Sequence, residues 1–149
     1  MTRQLKQAVL TMVVLLPLAA MAARTVPASA GRPVAWSDGP CFSMSYSTMS
    51  NVCSTRRSYE IPLTSDSAGS KAVNVTARGA TPSNNVGCMA IGMNREATLV
   101  WGGTRKWLTS FGTPQIIALT GAYIPNSGYL YANCLVDPGG QVNTVEHNP

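Results

Sequence analysis

A single histidine, His147, serves the whole chain of 149 residues, and it stands at the C-terminal end. Triads of the Ser-His-Asp or Cys-His kind need an imidazole held rigidly within hydrogen-bond reach of the nucleophile; a terminal histidine in a tail expected to fray, His147-Asn148-Pro149, does not provide one. The four cysteines contain no C-x-x-C pair. With one histidine beside them they lack the spacing and the ligands of a structural metal site, and the motif of a redox centre. No G-x-S-x-G, P-loop or G-x-G-x-x-G is present. Charge is scarce as well: 11% of residues are charged, where an average soluble domain carries about 25%. No window beyond the first thirty residues has helical period. In place of these features, Gly, Ser, Thr, Asn and Pro make up nearly half of residues 31–149, the composition of short strands and many turns.

The N-terminus reads as a secretory signal. Arg3 and Lys6 form a basic start, an uncharged stretch runs from Ala8 to Ala23, and Ala28-Ser29-Ala30 supplies a small-x-small cleavage pattern. The expected cut follows Ala30; a cut after Ala22, in Ala20-Met21-Ala22, is the alternative. The apolar stretch is shorter than the roughly 20 residues of a spanning helix and contains Pro17, so no membrane span is expected once the signal is removed. The domain plan is thus residues 1–30 as signal, 31–40 as an irregular arm, and 41–149 as one domain, secreted to the periplasm or the exterior. After residue 30, eight bases face six acids. The high pI of the full chain therefore overstates the case for nucleic acid, which asks for clustered Lys and Arg interleaved with aromatics. Arg56-Arg57 and Arg105-Lys106 are isolated pairs.

In an exported chain four cysteines argue for two disulfides. Three pairings are open, and alternation favours one. Leu130, Ala132, Cys134 and Val136 share one face of a strand, as do Val86, Cys88 and Ala90, so Cys88 and Cys134 point inward and are the favoured pair. Cys41 and Cys53 then close a local loop. Each bond would contribute on the order of 3–4 kcal/mol in the chain-entropy model.

Strands are predicted over 42–46, 59–63, 73–77, 86–93, 97–101, 115–120, 128–136 and 141–146, with 47–58 as loop. Pro62 places its strand at an edge or bulge. Residues 115–120 are apolar on both faces, as in a central strand covered on both sides. Asp137-Pro138-Gly139-Gly140 is a turn with Pro fixing φ and Gly supplying φ > 0. About eight short strands separated by turns predict an all-β fold, a small antiparallel β-sandwich.

Glycoside hydrolysis needs two carboxylates brought together, yet Asp38, Glu60, Asp66, Glu96, Asp137 and Glu146 all fall in or beside turns and strand ends; no enzyme, metal or cofactor is expected. Aromatics offer two candidate ligand surfaces. Tyr129 and Tyr131, with Asn133, lie on the face opposite Cys134, where packing against neighbouring side chains is the ordinary alternative. The other is the segment from Trp101 through Trp107 to Phe111. A hairpin at Gly102-Gly103 would send the two indoles to opposite sides, whereas a single long loop over 102–114 would carry Trp107, Leu108 and Phe111 exposed, the more inviting place for a partner. Asn74-Val75-Thr76 matches the N-glycosylation pattern. The reading is a secreted, non-catalytic binding or structural module. Its alternatives are a carbohydrate-binding module, with polysaccharide as partner, and an inhibitor or effector acting on an envelope or extracellular protein.

Tyr59-Glu60-Ile61-Pro62-Leu63, Val86-Gly87-Cys88 and Gly128-Tyr129-Leu130-Tyr131-Ala132-Asn133-Cys134-Leu135 together resemble small secreted β proteins of unassigned function known from myxobacteria and related genomes. Those proteins often carry Cys-Pro-Leu where Ile61-Pro62-Leu63 stands here. The resemblance implies secretion and a β fold, and no active site.

Overall fold

The computed structural model describes residues 23–148. Twelve strands follow in order: β1 (Arg24–Pro27), β2 (Arg32–Pro33), β3 (Phe42–Ser45), β4 (Thr48–Asn51), β5 (Arg57–Leu63), β6 (Gly69–Arg78), β7 (Val86–Met93), β8 (Val100–Gly102), β9 (Lys106–Trp107), β10 (Gln115–Ile124), β11 (Tyr129–Val136) and β12 (Gln141–His147). They form two antiparallel sheets. One runs β10-β6-β12-β4-β3, with β1 also paired to β12; the other runs β2-β5-β11-β7-β8, with β9 also paired to β7. This is the antiparallel β-sandwich that the turn-rich, alternating sequence predicts.

The core forms where the inward faces meet. Val73, Val75 and Ala77 of β6, Ile117 and Leu119 of β10, and Val142 and Val145 of β12 are buried from one sheet; Ile61 and Leu63 of β5 and Leu130, Ala132 and Val136 of β11 are buried from the other. Each valine, leucine or isoleucine side chain buried this way contributes about 1.5–3 kcal/mol. Cys88 and Cys134 are register partners on β7 and β11 and bond across the sheet at a Cα–Cα distance of 4.1 Å. Cys41 and Cys53 bond twelve residues apart. Between that loop and the 137–140 turn, fully buried Asn51 donates through Nδ2 to the carbonyls of Thr55 (2.9 Å) and Val136 (2.8 Å), and its Oδ1 accepts from Cys53 N–H (3.0 Å). Gly139 supplies the positive φ, 73°, that the turn requires.

The structure revises several of these expectations. The stretch 47–58 contains β4, whose Met49 is core. β10 is an outermost strand rather than a central one, leaving Ile116 68% exposed while Ile117 and Leu119 are buried; what looked like two apolar faces is one core face and one open face. His147 is buried in β12, with Nε2 hydrogen-bonded to the Thr64 carbonyl at 2.6 Å, and is not frayed. The domain also begins earlier than residue 41. Residues 1–22 of the expected signal lie outside the described residues, but residues 24–30, assigned to it from sequence, form β1 on β12 and a 3-10 turn whose Ala28 is fully buried. The arm expected at 31–40 holds β2 and a second 3-10 turn over Trp36–Cys41. Among the described residues no helix is long and apolar enough to cross a membrane.

Candidate functional site

The outward face of the β2-β5-β11-β7-β8 sheet is set by strand alternation. Tyr59, Ile61 and Leu63 go to the core, so Glu60 and Pro62 face out; Leu130, Ala132 and Cys134 go to the core, so Tyr129, Tyr131 and Asn133 face out. The register sets Tyr131 against Pro62 on one side and Ile91 on the other, with Asn133 against Glu60 in the next row. β2 then lays Arg32 beside Glu60. Close approach of β2 requires Gly31, since a Cβ there would run into the Glu60 carbonyl and the Tyr59 and Ile61 side chains. β2 covers only two residues of β5, so Pro62 sits where the strand has no partner on that side and its missing N–H costs nothing.

Arg32, Glu60, Pro62, Tyr129 and Tyr131, with Met93, line a pocket of about 470 Å³, within the range of small-ligand sites. Tyr129 and Tyr131 stack with ring centroids 6.4 Å apart and planes 24° from parallel. Tyr129 is 41% exposed, and the Tyr131 hydroxyl reaches Met93 Sδ at 3.5 Å. Arg32 donates from Nε to Glu60 Oε1 at 2.7 Å; the carboxylate side chain is 20% exposed and the guanidinium side chain 75%. Burial, with the charges of Glu60 and Tyr129 adding to it, pushes the Tyr131 phenol above the ordinary tyrosine value. Tyr129 and Tyr131, which the sequence offers as one candidate surface, are thus brought together in an open site. From sequence Glu60 entered as a candidate only as one of six dispersed carboxylates, and Arg32 not at all. Alternation alone would have placed Glu60 outward, but only the β5–β11 and β2–β5 pairings put it and Arg32 beside the tyrosines.

The second aromatic segment behaves differently. β8 and β9 both lie along β7, with Gly102 opposite Ile91 and Trp107 opposite Gly87, so the chain continues in one direction with a one-residue slip. It is neither the hairpin nor the long exposed loop. The glycines serve another purpose: a Cβ on Gly103 would meet the Thr120 carbonyl, and Gly121, at φ 89°, rests against Gly103 where the sheets close together. Trp101 turns toward β10 and meets Tyr123 edge-on at 5.6 Å. Trp107 lies over Gly87, which has no side chain to obstruct it, and is covered by the Arg56 guanidinium 4.7 Å from its ring centroid. Arg56 is itself held by Asp137 at 2.6 Å. Leu108 is core, and Phe111 packs against the core beside Gly79. Trp101, Trp107 and Phe111 are not brought together. The exposed tryptophan is Trp36, at 93%, in the stretch read from sequence as an arm.

Carboxylates are spread over the fold. Asp38, Glu60, Asp66, Glu96 and Asp137 each pair with a different arginine. Two surface pockets hold one carboxylate each, Glu60 in one and Asp66 in the other. Among the described residues no group of three His, Cys, Asp or Glu side chains is placed to hold a metal ion.

No protein-family model matches the chain, and no curated protein matches it in sequence. Its fold is similar to that of the C-terminal CBM6 of LamC, a marine laminarinase from Zobellia galactanivorans, with a TM-score of 0.55 at 9% identity over 86% of this chain and 100% of that one. TmCBM61, solved in complex with β-1,4-galactotriose, gives a TM-score of 0.46 at 9% identity over 85% of this chain and 86% of that one. At such identity the likeness concerns the fold alone.

Proposed function

We propose that the protein is an exported, non-catalytic carbohydrate-binding module, with the Tyr129–Tyr131 pocket as its site. The observation that carries this reading is the open pair of near-parallel tyrosine rings beside an accessible ion pair. A pyranose has a flat C–H face that packs on an aromatic ring and a rim of hydroxyls that seeks charged donors and acceptors; this pocket offers both within one concavity. The fold likeness to the LamC module supports it. Two disulfides support an oxidising destination. Glycoside hydrolysis would need a second carboxylate facing Glu60 across the pocket, and Glu60 is the one acid lining it. An effector acting through the 101–111 segment would do so without Leu108, which is core, and with Phe111 partly buried against it.

Retention on immobilised or gel-embedded polysaccharides tests the reading. The oxidised protein should be retarded by at least one polymer, and Tyr131→Ala should reduce that retention about tenfold or more with the melting temperature little changed. Undiminished retention in Tyr131→Ala would move the site elsewhere.

A further inference from the structure

Resting on that reading, we infer that the site selects neutral sugars presenting adjacent hydroxyls and excludes uronic-acid polymers. The pocket is lined by one anion and one cation, Glu60 and Arg32, and the two are already joined at 2.7 Å. The carboxylate is the more enclosed partner, 20% exposed against 75% for the guanidinium, and it lines the pocket together with the tyrosines. A carboxylate is acceptor-only and takes hydrogen bonds from hydroxyls. One sugar hydroxyl donates to Glu60, and its neighbour accepts from a terminal nitrogen of Arg32, whose Nε is committed to Glu60. That pattern fits two oxygens on neighbouring ring carbons.

An anionic sugar fits it poorly. Its carboxylate would have to compete with Glu60 for Arg32, and on success would leave two carboxylates side by side in a partly enclosed site, where like charges repel strongly. The other cations of this face are committed elsewhere. Arg56 is held by Asp137 and lies over Trp107, and Arg105 spends its terminal nitrogens on the Gly87 and Asn133 carbonyls and on Asn133 Oδ1. Burial, reinforced by the Arg56 charge, pushes the Arg105 guanidinium below its ordinary value, in keeping with an enclosed side chain rather than a surface cation.

The experiment compares neutral polymers (β-glucans, galactans, mannans) with polygalacturonate and alginate, using the wild type, Tyr131→Ala, Glu60→Gln and Arg32→Ala. The inference expects a neutral polymer to be bound and the uronates not. Glu60→Gln should weaken neutral binding about tenfold and narrow the gap to the uronates, and Arg32→Ala should weaken neutral binding several-fold. Preferential binding of uronates that is still lost in Tyr131→Ala would overturn the sugar class while leaving the site in place. Neutral binding unaffected by both Glu60→Gln and Arg32→Ala would overturn the assigned recognition. No retention on any polymer would overturn the site reading, and the sugar class with it.

Discussion

Two aromatic regions of the same sheet follow opposite logic. On β11 the rings of Tyr129 and half-buried Tyr131 stack on each other on the outward face and bound a pocket. Along β8, β9 and the residues after them, Trp101, Trp107 and Phe111 are each turned against something already in the fold: Tyr123, the bare backbone of Gly87 beneath Arg56, and the core beside Gly79. Aromatic content alone therefore says little about binding. What separates the regions is whether a neighbouring glycine or side chain has already taken the ring face. Trp101 and Trp107 close the sandwich edge, and the proposed site is built on the tyrosines instead.

The strongest way to break this comparison is to remove a wall of the tyrosine pocket. Ala30 and Arg32 line it, and the segment that brings them there is anchored by β1 on β12, by buried Ala28, and by the Tyr59 hydroxyl donating to the Ala28 carbonyl at 3.1 Å. A chain beginning at Gly31 should be about 3 kcal/mol less stable than one beginning at Ala23, from several lost hydrogen bonds at about 1 kcal/mol each and the lost burial. Its melting temperature should fall by roughly 10 °C, and glycan retention should fall with it. N-terminal sequencing of the exported protein should correspondingly give a start at Ala23. A product starting at Gly31 with full stability would contradict the place of β1 in the domain.

Trp107→Ala sharpens the contrast from the other side. Loss of the ring over Gly87 should cost about 2 kcal/mol, below the range for a fully buried tryptophan because this one is half-buried, while glycan affinity changes less than twofold. Tyr129→Ala should show the reverse: stability within about 0.5 kcal/mol, and affinity lower by several-fold. Thermal denaturation and affinity electrophoresis on the two variants separate these outcomes, and a swapped pattern would exchange the roles of the regions.

The smallest expected effect is in the titration. Burial raises the Tyr59 phenol, and burial with the Glu60 and Tyr129 charges raises Tyr131. A phenol raised in the folded state adds stability that is fully present below the unfolded value near 10 and is lost as the pH climbs through the folded value. Ultraviolet titration should show the Tyr59 and Tyr131 phenols ionising above the ordinary tyrosine value, with the melting temperature falling above about pH 10. Ionisation of Tyr59 and Tyr131 at the ordinary value near 10 would contradict that burial.

Much of the fold was legible because period-two alternation is a local signal. The strand over Val86–Met93 has the boundaries that the sequence suggests, and alternation turned Tyr129 and Tyr131 outward as expected. The site was half legible for the same reason. Tyr129 and Tyr131 lie on one strand, but Glu60 is supplied by pairing with a strand some seventy residues earlier, and Arg32 by a two-residue strand with too little sequence to announce itself. The glycine pair at 102–103 misled because its permissiveness could serve a turn or a close approach, and only the other sheet's position decides which. Trp36, exposed at 93%, sits where no periodicity exists to read; iodide quenching of the protein's fluorescence would report that residue first and say little about Trp101 or Trp107.

The most direct test is a ¹⁵N–¹H NMR titration of the oxidised chain with an oligosaccharide cut from whichever neutral polymer it retains. The account predicts that amide shifts cluster on Tyr129, Tyr131, Glu60 and Arg32, with the Trp101 and Trp107 indole N–H signals unmoved. Large shifts of the Trp107 indole with the β11 amides silent would contradict it.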